Sequence, residues 1–484
     1  MTSIDTQVRV ETDVFTVPML IGGEWRTPSS TYDVIDPYRQ ALACRAPAST
    51  LAELDDALKA ALAAKEKVAA MPAYERAALL REAARIVGER AHDIAHTMTL
   101  ETGKAIRDSI AEMVRAPETL LLSAEEAVRI AGEHIPLDSS PIGHGKLAVM
   151  LRFPVGIVAA ITPFNSPVNL ACHKLGPALA AGNAVVLKAP PQCPWTIHKL
   201  IACFVDAGVP AGFINVLYGH EVGPALVRDE RVDFITFTGS TRAGAEIKKA
   251  SGLRRVALEL GGIGPAIVHE DADVDTAAML CARNATRLAG QSCISVQNVH
   301  VHEKIYDAFI TRLVEEVKKL KVGDPFDEAT DIGSVIDLSA AKRIEGTIGE
   351  AVAAGARALT GGKRDGAVVE PTVLVDVDVS MSAVCHEIFG PMLTVRRYSN
   401  LDPVIREISD HHLGLQGGIF TKSLEVAMKV AKTMRVGGVI INGTSTWRSD
   451  QMPYGGVKDS GIGREGPHYA IKEMTEQRVI VFNL

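Results

Sequence analysis

The sequence predicts an α/β fold whose parallel sheets are covered by helices on both faces. Two patterns predict it. Short, unbroken apolar runs recur at 156–161, 184–188, 214–217 and 234–237, and stretches of helical character separate them at 168–180, 195–207 and 220–229. Strands buried on both faces read as continuous apolar runs, and a parallel connection needs a crossover, usually a helix. Sheets of this kind bind ligands beyond the C-terminal ends of their strands. A second unit of the same kind runs from 262 to 437, with helices at 272–289 and 303–320, and the strand 438–442 follows it.

Ahead of these runs, residues 51–100 are rich in alanine. Leu80, Ala83, Ala84, Val87, Ala91, Ile94, Ala95 and Met98 recur at three- and four-residue steps, the period of one helical face. Glu101-Thr102-Gly103-Lys104 closes that helix with a glycine stop, and a second helix is expected over 107–131. The segments 146–152 and 478–482 look like strands without a local partner. Unpaired strand edges are usually covered, so a subunit contact is expected there.

A chain of 484 residues is too long for one ordinary core and predicts two or three domains. The net charge of −7 argues against a nucleic-acid binder, which carries a basic stripe. The seven cysteines (44, 172, 193, 203, 281, 293 and 385) form no Cys-x-x-Cys pair and lack the paired spacing of a zinc site. Such a sparse, odd set suits a reducing compartment. Residues 1–20 carry Asp5, Glu11 and Asp13 and no apolar core, so no secretory signal is expected. No apolar run long enough for a membrane span is free of charges or Pro/Gly breaks. A cytoplasmic protein without nucleic-acid or membrane partners is expected.

Cys293 organises the candidate chemistry. It sits in Ala289-Gly290-Gln291-Ser292-Cys293-Ile294-Ser295. A thiolate attacks carbonyl carbon, and small or polar neighbours let the Cys293 N–H face a substrate oxygen. An isolated cysteine is most often a buried, inert one, and the surrounding motif reverses that expectation. Asn165 follows a strand in Ile161-Thr162-Pro163-Phe164-Asn165-Ser166-Pro167, where two prolines fix the loop. Its amide and the Cys293 N–H would form an oxyanion hole. Taken alone, an Asn beside Pro is a turn residue. Glu259 ends the run Val256-Ala257-Leu258 and precedes Gly261-Gly262, a glycine pair that gives the carboxylate room to swing. It could activate water or take the thiol proton; without Cys293 downstream it would read as a surface acid.

Lys188 ends one strand. Phe237-Thr238-Gly239-Ser240-Thr241 ends another and opens a helix with Gly244 one turn in. A helix N-terminus after a glycine suits a phosphate, although one glycine turn alone reads as a loop. Gly219 and Gly223 flank a second tight turn. Glu387, in His386-Glu387-Ile388-Phe389-Gly390-Pro391, supplies a carboxylate beside a flat aromatic face, suited to a ribose diol and a nicotinamide ring. The plainer reading is a helix end before a Gly-Pro turn.

In this order, Thr162-Pro163-Phe164-Asn165, Leu258-Glu259-Leu260-Gly261-Gly262, Gly290-Gln291-Ser292-Cys293, Glu387-Ile388-Phe389-Gly390-Pro391 and Pro453-Tyr454-Gly455-Gly456-Val457-Lys458 resemble the motifs of aldehyde dehydrogenases. The resemblance extends from Ile21 to nearly the end. It implies a Rossmann-like cofactor domain (1–132 and 152–260) and an α/β catalytic domain (261–437). It also implies a small β oligomerisation element (133–151 and 467–484), with 438–466 returning to the cofactor and substrate-tunnel side. A homodimer or a dimer of dimers follows.

The resemblance makes Cys293 the nucleophile, Asn165 the oxyanion donor and Glu259 the base. It puts Thr162, Pro163, Phe164 and Gly223 along the cofactor, Lys188 at the adenosine ribose with Pro191 beside it, and Gly239 and Ser240 at the pyrophosphate. Leu260, Glu387 and Phe389 fall at the nicotinamide half. The implied reaction oxidises an aldehyde through a thiohemiacetal and a thioester, without a metal. NAD-preferring relatives often carry a Glu three residues after the lysine. Pro191 stands there, which removes repulsion toward a 2′-phosphate, so NADP is expected alongside NAD.

Within that resemblance the chain is most similar to the lactaldehyde, succinate-semialdehyde and phosphonoacetaldehyde dehydrogenase branch. Arg115, His173 and Arg448 hint at a polar substrate, with His173 where many relatives carry a Trp. Ser292 stands where several phospho-substrate enzymes have an Arg. A short polar or anionic aldehyde is expected, its far end held by Arg115 and Arg448; the alternative is that both arginines make structural ion pairs. Apolar or aromatic aldehydes and transfer of the acyl group to CoA are the competing reactions. A cysteine hydrolase would need a histidine base, and none lies near Cys293 in a recognisable motif. A non-enzymatic role is disfavoured because Cys293, Glu259 and Asn165 are all intact.

Overall fold

The apolar runs between 156 and 237 assemble into one six-stranded sheet in the computed structural model, which describes residues 14–484. Asp5, Glu11 and Asp13 lie outside the described residues. Ile157–Ile161 is central, with Ala184–Lys188 and Ile214–Leu217 on one side and Phe234–Thr238 and Arg255–Glu259 on the other. These five are parallel; Val158 pairs with both Val185 and Phe234. Every residue of the first four in chain order is buried, which is why each reads as an unbroken apolar run. After Ile161 the chain first builds outward on one side and then returns to build on the other. Such a reversal opens a crevice beyond the strand ends, and the 162–166 loop lies there. Gly461–Ile462 closes the sheet as an antiparallel edge against Leu258–Glu259.

The helices Pro167–Ala181, Pro194–Asp206 and Val222–Arg228 cover this sheet. The alanine-rich segment forms three helices where the periodicity suggested one: Leu51–Ala70, Ala73–Glu89 and Ala91–Thr102. Pro72 causes the first break. It holds Met71 in an extended conformation (ψ 125°) and offers no N–H to continue the ladder. Gly103, at φ 69°, ends the third helix as the expected left-handed stop.

The second sheet has seven strands. In order they are Arg357–Thr360, Thr372–Val375, Met392–Tyr398, Asn298–His302, Pro265–Val268, Gln416–Phe420 and Gly438–Ile441, all parallel except the first. Val274–Thr286 and Tyr306–Lys319 pack against it. The former is shorter than the expected 272–289, for a reason that bears on the site.

The two strands expected to lack a local partner pair with each other. Lys146–Pro154 and Thr475–Asn483 run antiparallel, with Met150 opposite Val479, and Glu133–Ile135 adds a third strand. The link was invisible locally because more than three hundred residues separate the partners. Leu147, Leu151, Val479, Val481 and Phe482 remain exposed on this small sheet. Among the described residues, no helix is long and apolar enough to cross a membrane and no group of side chains has metal-ligand spacing.

Candidate active site

Cys293 is delivered by an abrupt end to a helix. Val274–Thr286 stops, and Leu288, Ala289 and Gly290 turn through φ values of 55°, 51° and 72°. The left-handed region is costly for Leu and Ala, so neighbours must hold the turn. Asp108 does so: Oδ2 accepts from the Leu288 N–H at 3.1 Å and Oδ1 from Arg287 Nε at 3.3 Å. Gln291 Oε1 accepts from the Ile336 N–H at 2.9 Å. A Cβ on Gly290 would stand 2.0 Å from the Gly390 carbonyl oxygen, so only glycine fits.

Asn165 lies across from Cys293 in the crevice. Its Nδ2 gives one proton to the Gln291 carbonyl at 3.0 Å. The second Nδ2 proton and the Cys293 N–H meet no protein acceptor among the described residues. Both residues line the same two cavities, and two free donors facing one space are what an oxyanion hole requires.

A buried ion pair behind Asn165 was not singled out from sequence. Glu112 Oε1 accepts from the N–H groups of Val168 and Asn169 at 2.8 and 3.0 Å, capping the helix that follows the loop. Glu112 Oε2 meets Lys104 Nζ at 2.5 Å, and Lys104 reaches the Asn165 carbonyl at 3.4 Å. The signal was present in Thr102-Gly103-Lys104, which read only as a helix stop.

Glu259 ends its strand and is 4% exposed, with Oε2 unpartnered. Burial, reinforced by nearby Glu465, pushes its carboxyl well above the usual carboxylate range. Gly261 and Gly262 serve close approach rather than room to swing. A Cβ on Gly261 would lie 2.6 Å from Glu387 Oε2, and one on Gly262 2.5 Å from the Cys293 carbonyl oxygen.

Two cavities meet around these groups, and another lies along the same sheet at Lys188. One of about 610 Å³ is lined by Lys188, His220, Gly223, Arg228 and Phe237. A second, of about 530 Å³, is lined by Pro163, Phe164, Gly239, Ser240, Leu260, Glu387 and Phe389, together with Glu259. The third, of about 150 Å³, is lined by Arg115, Arg287, Ser292 and Leu170. Cys293, Asn165, Arg448 and Tyr454 line both the second and the third, so the sulfur sits where the two spaces join.

The first two cavities suit a dinucleotide. Lys188 has no acid partner among the described residues, and burial lowers its pKa to about 8. The Thr162 hydroxyl is buried and unpartnered. Ser240 caps the helix Thr241–Ala250 through the Ala243 N–H, and Gly244 leaves space that Leu260 fills. Glu387 accepts from the Gly262 N–H at 3.2 Å, and burial raises it to about 7. Phe389 meets Phe164 edge-on at 5.9 Å. Gly223 lies inside the helix Val222–Arg228 rather than at a turn, and nothing stands within 4 Å of a Cβ built there. Pro191 lines none of the three cavities; its carbonyl accepts from the Tyr32 hydroxyl at 2.9 Å.

The polar residues expected at the substrate end divide. Arg115 lines the third cavity but is held by Asp450 at 2.6 and 3.0 Å. Arg448 is bound by Glu465 at 2.9 Å and stacks on Tyr454. His173 is fully buried, its Nε2 stands 2.9 Å from Asp450 and 3.0 Å from Arg448 Nη2, and it lines none of the cavities. Burial and Arg448 hold it below the ordinary histidine pKa, against the opposing pull of Asp450 and Glu465. Ser292 faces the third cavity beside Arg287, a residue that no local motif marked.

The aldehyde dehydrogenase family model matches residues 25–480. The chain is 46% identical over 469 residues to the 3-sulfolactaldehyde dehydrogenase of Priestia megaterium, covering 96% of this chain and 98% of that one. Aldehyde dehydrogenase 21 from Physcomitrella patens, solved with its reaction product succinate, superposes with a TM-score of 0.95 at 40% identity. The match covers 97% of this chain and 98% of that one. The NADP-dependent glyceraldehyde-3-phosphate dehydrogenase of Bacillus halodurans, solved with NADP, gives 0.95 at 36% identity, covering 97% and 100%. A fold, a crevice and a thiol–carboxylate–amide set of this kind, matched over almost the whole length, mean that the chain belongs to the aldehyde dehydrogenase family and is an NAD(P)-dependent oxidoreductase.

Proposed function

We propose that the substrate is a short aldehyde carrying an anionic group, with 3-sulfolactaldehyde and succinic semialdehyde as the leading candidates. The observation that carries this reading is the small cavity beyond Cys293, which three arginines line. Asp450 and Glu465 neutralise Arg115 and Arg448, although each guanidinium keeps further N–H groups to donate. Among the described residues Arg287 meets only Asp108, at 3.3 Å, and its side chain is 43% exposed. Its charge is the least committed, and with Ser292 it is the reader of the anion. The names of the sulfolactaldehyde dehydrogenase relative and the succinate-bound moss enzyme support the same class.

In this reading Cys293 releases its thiol proton to solvent, the thiolate forms a C–S bond to the aldehyde carbon as the carbonyl π pair moves to oxygen, and the oxyanion rests on Asn165 Nδ2 and the Cys293 N–H. The nicotinamide supplies the hydride acceptor when bound. Thr162, Lys188, Ser240 and Glu387 hold the dinucleotide. Glu259 takes a proton from water, which adds to the thioester and releases the carboxylic acid. NADP is accepted as well as NAD, because Pro191 offers no carboxylate to a 2′-phosphate and Lys188 carries an uncommitted charge. The free thiols support a reducing, cytoplasmic setting. The exposed apolar rows of the 146–154 and 475–483 strands support a homo-oligomer joined through that sheet. The cofactor unit spans 1–132 and 152–260, the catalytic unit 261–437.

The test is kcat/KM for 3-sulfolactaldehyde, succinic semialdehyde, lactaldehyde and hexanal, with each cofactor. The anionic aldehydes should lead by at least about tenfold, the worth of one charge-assisted hydrogen bond. Hexanal in the lead would overturn the anionic reading.

A further inference from the structure

Tyr454 brings a hydroxyl to the sulfur of Cys293, with 3.1 Å between oxygen and Sγ. The oxygen has no other hydrogen-bond partner among the described residues. The side chain is 3% exposed and packs with Ile294 and Leu415. Its backbone exchanges two hydrogen bonds with Glu465, at 3.2 and 2.7 Å. Arg448 lies over its ring, 3.9 Å from the centroid, and Glu465 holds that guanidinium too. One acidic residue therefore fixes both the ring and the cation upon it.

We propose that Tyr454 is a catalytic residue whose hydroxyl donates a hydrogen bond to the Cys293 thiolate, as the sulfur attacks and again as it leaves. The proposal rests on the reading of Cys293 as nucleophile and goes beyond it. While the thiol keeps its proton, either group can donate; once the proton is lost, only the hydroxyl can. A cation over the ring face draws electron density from the phenol oxygen and makes its O–H a stronger donor.

The site needs such a donor. Burial pushes the Cys293 thiol up to about 12, Glu387 and Glu259 add to the opposition, and Arg448 acts against them. Arg448 and Glu259 also face the hydroxyl. Burial and Cys293 hold its own pKa well above the ordinary tyrosine value, so it keeps its proton and serves as donor rather than base. During hydrolysis, water adds to the thioester carbon and loses a proton to Glu259. The C–S bond then breaks, its electron pair goes to sulfur, and the carboxylic acid departs. The hydroxyl meets the new negative charge without transferring its proton.

The experiment compares wild type with Tyr454→Phe, which keeps the ring and the Arg448 contact. The Cys293 thiolate is titrated by ultraviolet absorbance, each protein being differenced against its own Cys293→Ala partner. The midpoint is expected to rise by about one pH unit in Tyr454→Phe, a tenfold change in thiolate fraction. The kcat should fall roughly tenfold near neutral pH and recover in part in alkali, where thiolate supply no longer limits but the departing sulfur still lacks its donor. An unchanged midpoint overturns the proposal, whatever happens to kcat. Turnover retained by Cys293→Ala would overturn the nucleophile reading instead, and the two results are read independently.

Discussion

Arg115 and Asp450 form a two-pronged ion pair, with Nη2 and Nε 2.6 and 3.0 Å from the two carboxylate oxygens. Asp450 also accepts from Asn169 at 3.1 Å and His173 at 2.9 Å. One carboxylate thus ties the helices Ile106–Ala127 and Pro167–Ala181 to the segment carrying Arg448. Burial works against that charge, but the bonds from His173 and Arg115 hold Asp450 far below the usual carboxylate range. The pair therefore shapes the cavity wall.

This arrangement separates two arginines that share one cavity. Arg287→Ala should raise KM for anionic aldehydes by roughly 10–100-fold, the worth of a charged hydrogen bond, and leave hexanal nearly unchanged. Arg115→Ala should leave the buried Asp450 short of a partner, lowering thermal stability and reducing kcat/KM for both aldehydes alike. Steady-state kinetics on both substrates check the pattern.

Asn165→Ala removes one of the two free donors facing the oxyanion. The kcat should fall by about 10²–10³-fold, the usual cost of one such donor. Cofactor affinity, followed by fluorescence of the reduced dinucleotide, should hold.

Glu259 acts as a base only when ionised, and burial raises its pKa. A raised carboxylate stays protonated to higher pH, so hydrolysis should be slow in mild acid and quicken as pH rises through that value. Glu259→Gln should lose this limb. It should still form reduced cofactor in a first-turnover burst while steady turnover falls by about 10²-fold or more. Stopped-flow absorbance across pH measures both effects.

Pro191 stands outside the cavity that Lys188 lines, but a Pro191→Glu side chain is longer than the ring it replaces and should bring a carboxylate toward a 2′-phosphate. The kcat/KM with NADP should drop at least about tenfold relative to NAD, as like charges at close range require. Direct titration with NADPH should show the same loss of affinity.

The strands that build the cofactor sheet were legible because burial on both faces leaves an unbroken apolar signature. Cys293, Asn165 and Glu259 were legible because motifs surround them, and the fold brings Cys293 and Asn165 into the same two cavities, with Glu259 in one of them. What escaped was set by distance in the chain. Lys146–Pro154 finds its full-length partner at the C-terminus, and only the three residues of Glu133–Ile135 pair with it locally. Arg287 acquires its exposure from a left-handed turn that its own sequence disfavours. Whether Arg115 and Arg448 bind substrate or make structural ion pairs stayed open in the sequence because Asp450 and Glu465, which hold them and His173, lie in the 450–465 stretch, and no pattern at Arg115 or His173 pointed there. Tyr454 stood inside a quoted motif, but a hydroxyl gains its meaning from the sulfur 3.1 Å away.

The most direct test of the account is the intact and peptide mass of Glu259→Gln after mixing with cofactor and whichever aldehyde the wild type oxidises fastest. An acyl group on the peptide containing Cys293, absent from the Cys293→Ala protein and formed with one equivalent of reduced cofactor, is the predicted result. Reduced cofactor in the burst without any adduct at Cys293, or an adduct on another residue, would contradict it.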